Sequence, residues 1–408
     1  MIIKPMVRNN ICINAHPGGC ALETRRQIES ILLRRAAYDR LAGPKTVLVV
    51  GCSTGYGLAS RIVAAFGFGA TTLGVSFERS PSESSAGTPG WYNNRTFDDE
   101  AAAAALRGRS FDGDAFSSGM KDQVIAAARE MGLRFDLVVY SLASPVRTDP
   151  VTGAVYRSVI KPIGGVYRGK TVDPFSKALS LAEVQPATAE EIAQTVKVMG
   201  GEDWELWIDA LREADALSPS AVTVAYSYVG PELSWPIYRD GTIGRAKAHL
   251  EETARRLSSS GAIRAYVSIN KALVTRASAV IPVIPLYVSV LYKVMKERGI
   301  HEDCIDQMDR LFRDRLYSGA KPAVDSEGRI RIDELEMGAA VQAEVGARIA
   351  RVDDSDLSKL ADVEGFRLDF LRAHGFAVDG VDYEADISPL SSHSGAGAAA
   401  PRDASVKG

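Results

Sequence analysis

The chain is poor in the residues that bind metal or cross-link a fold. Its 408 residues hold four cysteines (Cys12, Cys20, Cys52 and Cys304), scattered without metal-ligand spacing, and five histidines. This reads as packed or reduced thiols in a cytoplasmic protein, and no metal is expected. His16, in HPGGC, has no partner ligands at usable spacing and reads as part of a structural loop. An excess of one charge is also missing. With 48 Lys and Arg against 51 Asp and Glu the net charge is −3, which gives no reason to expect nucleic acid or an anionic membrane as partner. The N-terminus MIIKPMVRNNICINAHPGGC lacks the apolar core of a secretory signal. The apolar stretch Val280–Tyr292 is short of the roughly 20 residues of a membrane span, and Pro282 and Pro285 break its first turns. It reads as a core helix, as a greasy wall for an apolar substrate, or as both.

What is present is an ordinary globular composition, 46% hydrophobic, with strands and helices in alternation. The run Thr46–Val50 is a buried strand, followed by the loop Gly51-Cys52-Ser53-Thr54-Gly55-Tyr56-Gly57 and the helical Leu58–Phe66. Further strands are expected at Thr71–Phe77, Phe135–Ser141, Ala221–Tyr228 and Ala262–Ile269, with helices over Leu22–Leu41, Ala101–Leu106, Met120–Met131 and Thr242–Leu257. Continuous apolar strands alternating with helices predict an α/β fold, a Rossmann-like doubly wound parallel sheet with helices on both faces. A long insertion between sheet strands, about 145–218, carries an expected hairpin around Gly164-Gly165. Extra C-terminal helices occupy about 280–388. The whole reads as one large domain, 1–388, with a disordered Ser/Gly/Ala-rich tail at 389–408.

The glycine spacing G-x-x-x-G-x-G serves the physics of a dinucleotide loop. Glycines turn the backbone tightly and let a pyrophosphate approach the amides at a helix N-terminus. No Lys-Ser/Thr follows, so a triphosphate loop is excluded. Glu78, at the end of the second strand, suits the ribose hydroxyls and repels a 2′-phosphate, which points to NAD(H); Arg79 beside it is the one group that argues for NADP(H). Asp112-Gly113-Asp114-Ala115 reads as an adenine site or as a plain turn, and Ser141-Leu142-Ala143-Ser144 lies beyond a strand's carboxyl end, where such sheets bind ligands. Tyr238 and Lys247 are nine residues apart, so on one helix they would face opposite ways. Asp240-Gly241 breaks the helix before Thr242, the expected N-cap, and a loop could bend the phenol back toward Lys247. The ammonium would then lower the phenol's pKa and bind the nicotinamide ribose. A surface tyrosine and a solvated lysine are equally consistent with the spacing.

Taken together, the Tyr-x8-Lys pair, GCSTGYG, Phe77-Glu78, GWYN at Gly90–Asn93, Leu273-Val274-Thr275, the opening MIIKP and His16-Pro17-x-Gly19-Cys20 resemble the FabV / trans-2-enoyl-CoA reductase family, from Met1 to about Ile387. The resemblance implies an NADH-dependent enoyl-[acyl-carrier-protein] or enoyl-CoA reductase of fatty-acid elongation. It implies that Gly51 to Gly57 hold the pyrophosphate, that Phe77 and Glu78 take the adenosine ribose, and that Asp114, Ala115, Leu142 and Ala143 line the cofactor. Tyr228 would contact substrate, Tyr238 and Lys247 would be catalytic, and Leu273, Val274 and Thr275 would close over the nicotinamide. Hydride would go to C3, with Tyr238 serving the enolate oxygen. The substrate is expected on acyl carrier protein or coenzyme A, with the carrier protein preferred, and the enzyme is expected to be a cytoplasmic monomer without stable membrane insertion. Two rivals are a short-chain-type carbonyl reductase or alcohol dehydrogenase and a non-catalytic NAD-binding sensor.

Overall fold

The computed structural model describes residues 1–8, 10–259, 261, 263–275, 281 and 283–391. Val280, Pro282, Ala262 and the tail from 392 onward lie outside the described residues. The chain opens with a two-stranded antiparallel ribbon, β1 (Val7–Arg8) and β2 (Ile11–Cys12), and helix α1 (Pro17–Leu33). Then come β3 (Thr46–Val50), α2 (Gly55–Ile62), β4 (Thr71–Ser76), α3 (Pro89–Ala103), β5 (Gly108–Asp112), α4 (Ser118–Glu130) and β6 (Phe135–Tyr140). Two ribbons follow, β7 (Val146–Thr148) with β8 (Val155–Arg157), and β9 (Tyr167–Val172) with β10 (Leu179–Val184). Helices α5 (Ala189–Met199) and α6 (Glu202–Glu213) lead back to β11 (Leu217–Ser227), α7 (Thr242–Ser259) and β12 (Arg264–Ile269). The last part is α8 (Ile284–Glu297), α9 (Cys304–Arg310), β13 (Ile330–Arg331), α10 (Ala339–Arg351), α11 (Leu357–Leu360) and α12 (Val363–Arg372).

Seven strands form one parallel sheet in the order β13-β12-β11-β6-β3-β4-β5. The winding reverses between β3 and β6, the crevice where such sheets place a ligand. Every residue of β3 is buried because both faces are covered. Val47 and Val49 face α2 and the core around Phe97, Ile305 and Met308, while Leu48 and Val50 face α4, α6 and α7. A third layer, built on α8, lies against α10 and α12 through Tyr287, Leu291, Val345 and Phe366.

Several expectations need correction. The sequence VYRSVIKPIGGVYRGKTV does not form one hairpin about Gly164-Gly165. Instead β8 pairs back with β7, and β9 pairs forward with β10. Carbonyls that a hairpin would use are taken elsewhere: Lys161 O accepts from Thr242 N at 3.0 Å and Pro162 O from Ala187 N at 2.9 Å. Helix α1 begins at Pro17, not Leu22, because His16 caps it by accepting from Gly19 N at 3.1 Å through Nδ1 and proline suits the first helical position. The alanine run at 101–106 is the end of α3, which closes where Ala105 takes a positive φ of 54°. Thr242 is the first residue of α7 rather than its cap, and its hydroxyl donates to Val159 O at 2.5 Å. The last part of the insertion covers the sheet: Trp204 and Trp207 of α6 are fully buried, and Trp204 donates to Thr223 Oγ1 at 2.8 Å. Strands β5 and β13 had no counterpart in the sequence reading, because only one residue in each is buried.

Candidate active site

The glycine loop leaves β3 and enters α2 with no room for side chains. Gly51 has φ +90°, and a Cβ there would lie 2.4 Å from Ser141 O. At Gly57 a Cβ would lie 1.8 Å from Gly51 O. This close approach pins the loop beside the end of β6, which brings Leu142 and Ala143 to the same crevice. Thr54 is the N-cap of α2 but makes no side-chain cap bond. The first-turn amides therefore keep their capacity for an anion, which the helix dipole favours. Gly55 adopts φ +54° in that first turn.

The loop's other side chains brace it. Cys52 is fully buried and donates weakly to Asn94 Oδ1 at 3.6 Å, and burial pushes its thiol up to about 11. Tyr56 donates to Lys271 O at 2.6 Å and accepts from Gln307 Nε2 at 3.1 Å, which ties the loop to the end of β12. Ser53 donates to Glu78 Oε1 at 2.6 Å. Glu78 lies flat on the start of α3, where a Cβ on Gly90 would come within 2.1 Å of the same oxygen. Its amide donates to Asp112 Oδ1 at 2.7 Å. Phe77 beside it is 79% exposed, a bare ring at the rim. Arg79 turns away, donating to Ile13 O at 3.3 Å and Ala86 O at 3.4 Å. Asp114 caps its own turn by accepting from Phe116 N at 2.9 Å. The buried Ala115 carbonyl receives Lys121 and Trp207.

At the far end of the crevice, past β11 and β12, the phenols gather. Tyr238 sits on the loop between β11 and α7, as its spacing from Lys247 suggested, and is 8% exposed. Its ring meets the half-buried Tyr228 edge to face at 4.9 Å. It shares a core cluster with Leu273. Among the described residues none bonds the Tyr238 hydroxyl. Lys247, in the second turn of α7, donates to Tyr226 O at 3.2 Å, and burial lowers it to about 8. The expected acidification of Tyr238 by Lys247 is not what the structure shows. Burial and then the Glu336 carboxylate push that phenol up, so it stays protonated. Val274 N donates to Tyr292 Oη at 3.1 Å, anchoring the Leu273–Thr275 loop to α8.

Three residues here escaped the sequence reading. Glu336, fully buried, accepts from Tyr228 Oη at 2.9 Å, Tyr287 Oη at 2.5 Å and Ala272 N at 2.6 Å. Tyr287 lies in the apolar stretch first read as helix or wall, and α8 confirms the helix. Lys271 is buried with its ammonium on Ala272 O and Glu302 O, and burial lowers it to about 8. No spacing or motif marks any of them.

A doubly wound sheet, a glycine cradle with free helix amides and an unpartnered buried phenol define a dinucleotide-dependent oxidoreductase. Family models agree on which one. Residues 2–83 match the NAD(P)H binding domain of trans-2-enoyl-CoA reductase, 85–317 its catalytic region, and 324–387 the enoyl reductase FAD binding domain. The chain is 56% identical over 392 residues to a trans-2-enoyl-CoA reductase [NADH] of Treponema denticola, covering 95% of this chain and 98% of that protein. It is 51% identical over 393 residues to an enoyl-[acyl-carrier-protein] reductase [NADH] of Opitutus terrae, with 95% and 99% covered. The crystal structure of the Treponema denticola enzyme in complex with NAD superposes with a TM-score of 0.93 at 55% identity, covering 95% of this chain and 98% of that one. A Clostridium acetobutulicum trans-2-enoyl-CoA reductase in complex with NADH gives 0.90 at 43% identity, with 95% and 98% covered. The chain belongs to the trans-2-enoyl-CoA reductase family.

The residues present fit a nicotinamide dinucleotide. They do not present a second cradle for a flavin. Residues 324–387 press Val341, Val345, Phe366 and Phe370 into the core around α8, and the Asp362 carboxylate caps the N-terminus of α12 where a pyrophosphate would need free amides. That segment is an apolar brace.

Proposed function

We propose that this chain reduces the trans-2 C=C bond of enoyl thioesters with NADH, the final step of a fatty-acid elongation cycle. The observation that carries the reading is the hydroxyl of Tyr238, a buried residue, left without a protein hydrogen bond among the described residues beside Tyr228, in a family whose named relatives are NADH-dependent reductases. When bound, NADH supplies a hydride to C3 and is oxidised to NAD. The alkene electrons then shift onto the thioester oxygen, and Tyr238 donates to that oxygen where charge builds. The resulting enolate takes a proton from solvent at C2, giving the saturated thioester. Tyr228 sets the wall against which the carbonyl rests. Lys247 holds the nicotinamide ribose, and Leu273, Val274 and Thr275 cover that end. The apolar face of α8 receives the acyl chain. Gly51, Cys52, Ser53, Thr54, Gly55, Tyr56 and Gly57 form the pyrophosphate cradle, with Leu142 and Ala143 on its other side. Phe77 and Glu78 take the adenosine ribose, and Asp114 and Ala115 the adenine.

Glu78 supports NADH over NADPH: it is held by Ser53 at the ribose corner, while Arg79 is committed to two carbonyls. The carrier is proposed to be acyl carrier protein, with coenzyme A as a substitute. Residues 1–388 are proposed to work as one unit, a cytoplasmic monomer. No helix among the described residues is long and apolar enough to cross a membrane. The test is NADH oxidation with crotonyl thioesters of both carriers, with NADPH in parallel. Turnover of 3-ketoacyl thioesters instead would favour a carbonyl reductase, and tight NADH binding without turnover of any enoyl thioester would favour a sensor. Sedimentation of the active enzyme tests the monomer.

A further inference from the structure

Three phenols converge on the reaction end of the crevice, and the structure distinguishes them. Tyr228 and Tyr287 both donate to one oxygen of Glu336, at 2.9 and 2.5 Å. The other oxygen accepts Ala272 N at 2.6 Å, at the root of the Leu273–Thr275 loop. Glu336 thus joins three separate pieces of the fold: the loop after β11, the loop after β12, and α8. Each hydroxyl has one proton, so in this arrangement neither Tyr228 nor Tyr287 can donate to a substrate. Tyr238 alone keeps its proton uncommitted. Gly230, at φ +68°, gives the Tyr228 hydroxyl its room, since a Cβ there would lie 2.6 Å from it.

We propose that Glu336 is the positioning residue of this active site, fixing Tyr228 and Tyr287 by accepting hydrogen bonds from their hydroxyls and so leaving Tyr238 as the single phenolic donor to substrate. The inference rests on the reductase reading above and names how its donor is selected. A buried carboxylate is costly unless it is hydrogen-bonded and its charge is met. Burial raises the Glu336 pKa, and the groups facing it work against that rise: Tyr287, the Ala272 amide and Tyr228 donate to it, and the Lys271 ammonium offsets its charge. Gln342 closes the far side, donating to Tyr287 Oη at 3.2 Å and to Glu336 O at 2.7 Å. The negative charge also acts on Tyr238, holding its phenol above the ordinary range after burial has raised it. A phenol kept neutral is a donor at working pH; a tyrosinate would not be.

Glu336→Gln removes the charge and presents an NH2 group to one of the three donors. With NADH and crotonyl-CoA, kcat is expected to fall by about 10- to 100-fold while NADH affinity holds. The alkaline limb of the pH–rate profile should move to lower pH. Tyrosinate absorbance should appear at lower pH as well, and the Glu336→Gln/Tyr238→Phe double variant should lose Tyr238's share of that shift, the rest belonging to Tyr228 and Tyr287, which Glu336 also holds up. The tyrosinate signal is blind to Lys247 and Lys271, the lysines here that titrate in the alkaline range. Glu336→Asp keeps the charge but shortens the reach; it should lose rate while keeping the wild-type alkaline limb, and it carries the test should the Gln variant not fold. Wild-type kcat in either variant, or a Gln variant with an unmoved alkaline limb and tyrosinate titration, overturns the proposal. Failure of the wild-type enzyme to reduce crotonyl-CoA would instead overturn the reductase reading.

Discussion

Replacing Tyr238 by phenylalanine removes one oxygen from the site and nothing else. The ring stays where it is, because packing holds it: Tyr238 is 8% exposed, meets Tyr228 at 4.9 Å, and its backbone amide donates to Ser234 O at 2.9 Å. The hydroxyl has no protein partner among the described residues, so its loss orphans no donor or acceptor. Stability should then change by less than about 0.5 kcal/mol. The kinetic cost is a separate quantity. A donor aimed at developing negative charge contributes about 2.7–4 kcal/mol, or 10²–10³ in kcat, and a transferred proton can raise this to about 10⁴. Because the interaction is made in the transition state, kcat and kcat/KM should fall together, with NADH affinity unchanged. The assay is NADH oxidation with crotonyl-CoA over a substrate series, beside a binding titration and a thermal melt. A variant within about tenfold of wild type, less than roughly 1.4 kcal/mol, would refute the claim that this hydroxyl serves the enolate. A large loss accompanied by a lowered melting point would show that the argument from packing was wrong.

Glu78→Gln keeps the shape at the ribose corner and removes the charge facing a 2′-phosphate, so the preference for NADH over NADPH in kcat/KM should shrink by about tenfold or more; an unchanged ratio argues that Glu78 does not read the ribose. Gly57→Ala places a methyl group 1.8 Å from Gly51 O, and NADH affinity should collapse in a titration even if the protein remains folded. His16 is buried neutral, with its pKa lowered by burial from 6.5 to about 4. The unfolded chain therefore takes up a proton that the native state excludes, and stability present above pH 6.5 is lost as pH falls toward 4, by about 3 kcal/mol at the end of the window. Denaturant melts across that range should show this loss, and His16→Asn, which keeps a side-chain acceptor for the cap, should reduce it.

Much of the fold was legible because its core elements are locally consistent. Thr46–Val50 and Phe135–Tyr140 are apolar apart from Thr46 and Asp136 at their starts, as suits strands covered on both faces. Gly51, Gly55 and Gly57 occupy positions that their geometry restricts, which makes a glycine loop readable without any neighbour. What failed was what depends on partners far along the chain. The hairpin expected at Gly164-Gly165 followed a sound turn rule, yet Thr242 had claimed the Lys161 carbonyl. Strand β5 shows one buried residue of five, because an edge strand needs only one covered side and leaves little periodicity to detect. The helix start at Pro17 was hidden by glycines that read as loop, although Pro17 and the His16 cap were both in view.

The site divides along the same line. Its cofactor half follows β3 and β4 within a few dozen residues, so composition and spacing expose it. The reaction half is assembled from Tyr228, Ala272, Tyr287 and Glu336, and Glu336 lies 108 residues beyond Tyr228. No local rule ties a single glutamate to a phenol at that separation. The reason is topological. Parallel strands deliver their carboxyl ends to one edge of the sheet, so residues distant in sequence meet there whatever their spacing. Lys247 illustrates the consequence: a neighbour in sequence looked like the group that would tune Tyr238, whereas the charge that acts on that phenol comes from the C-terminal brace. On this reasoning residues 324–387 belong to the chemistry as well as to the packing.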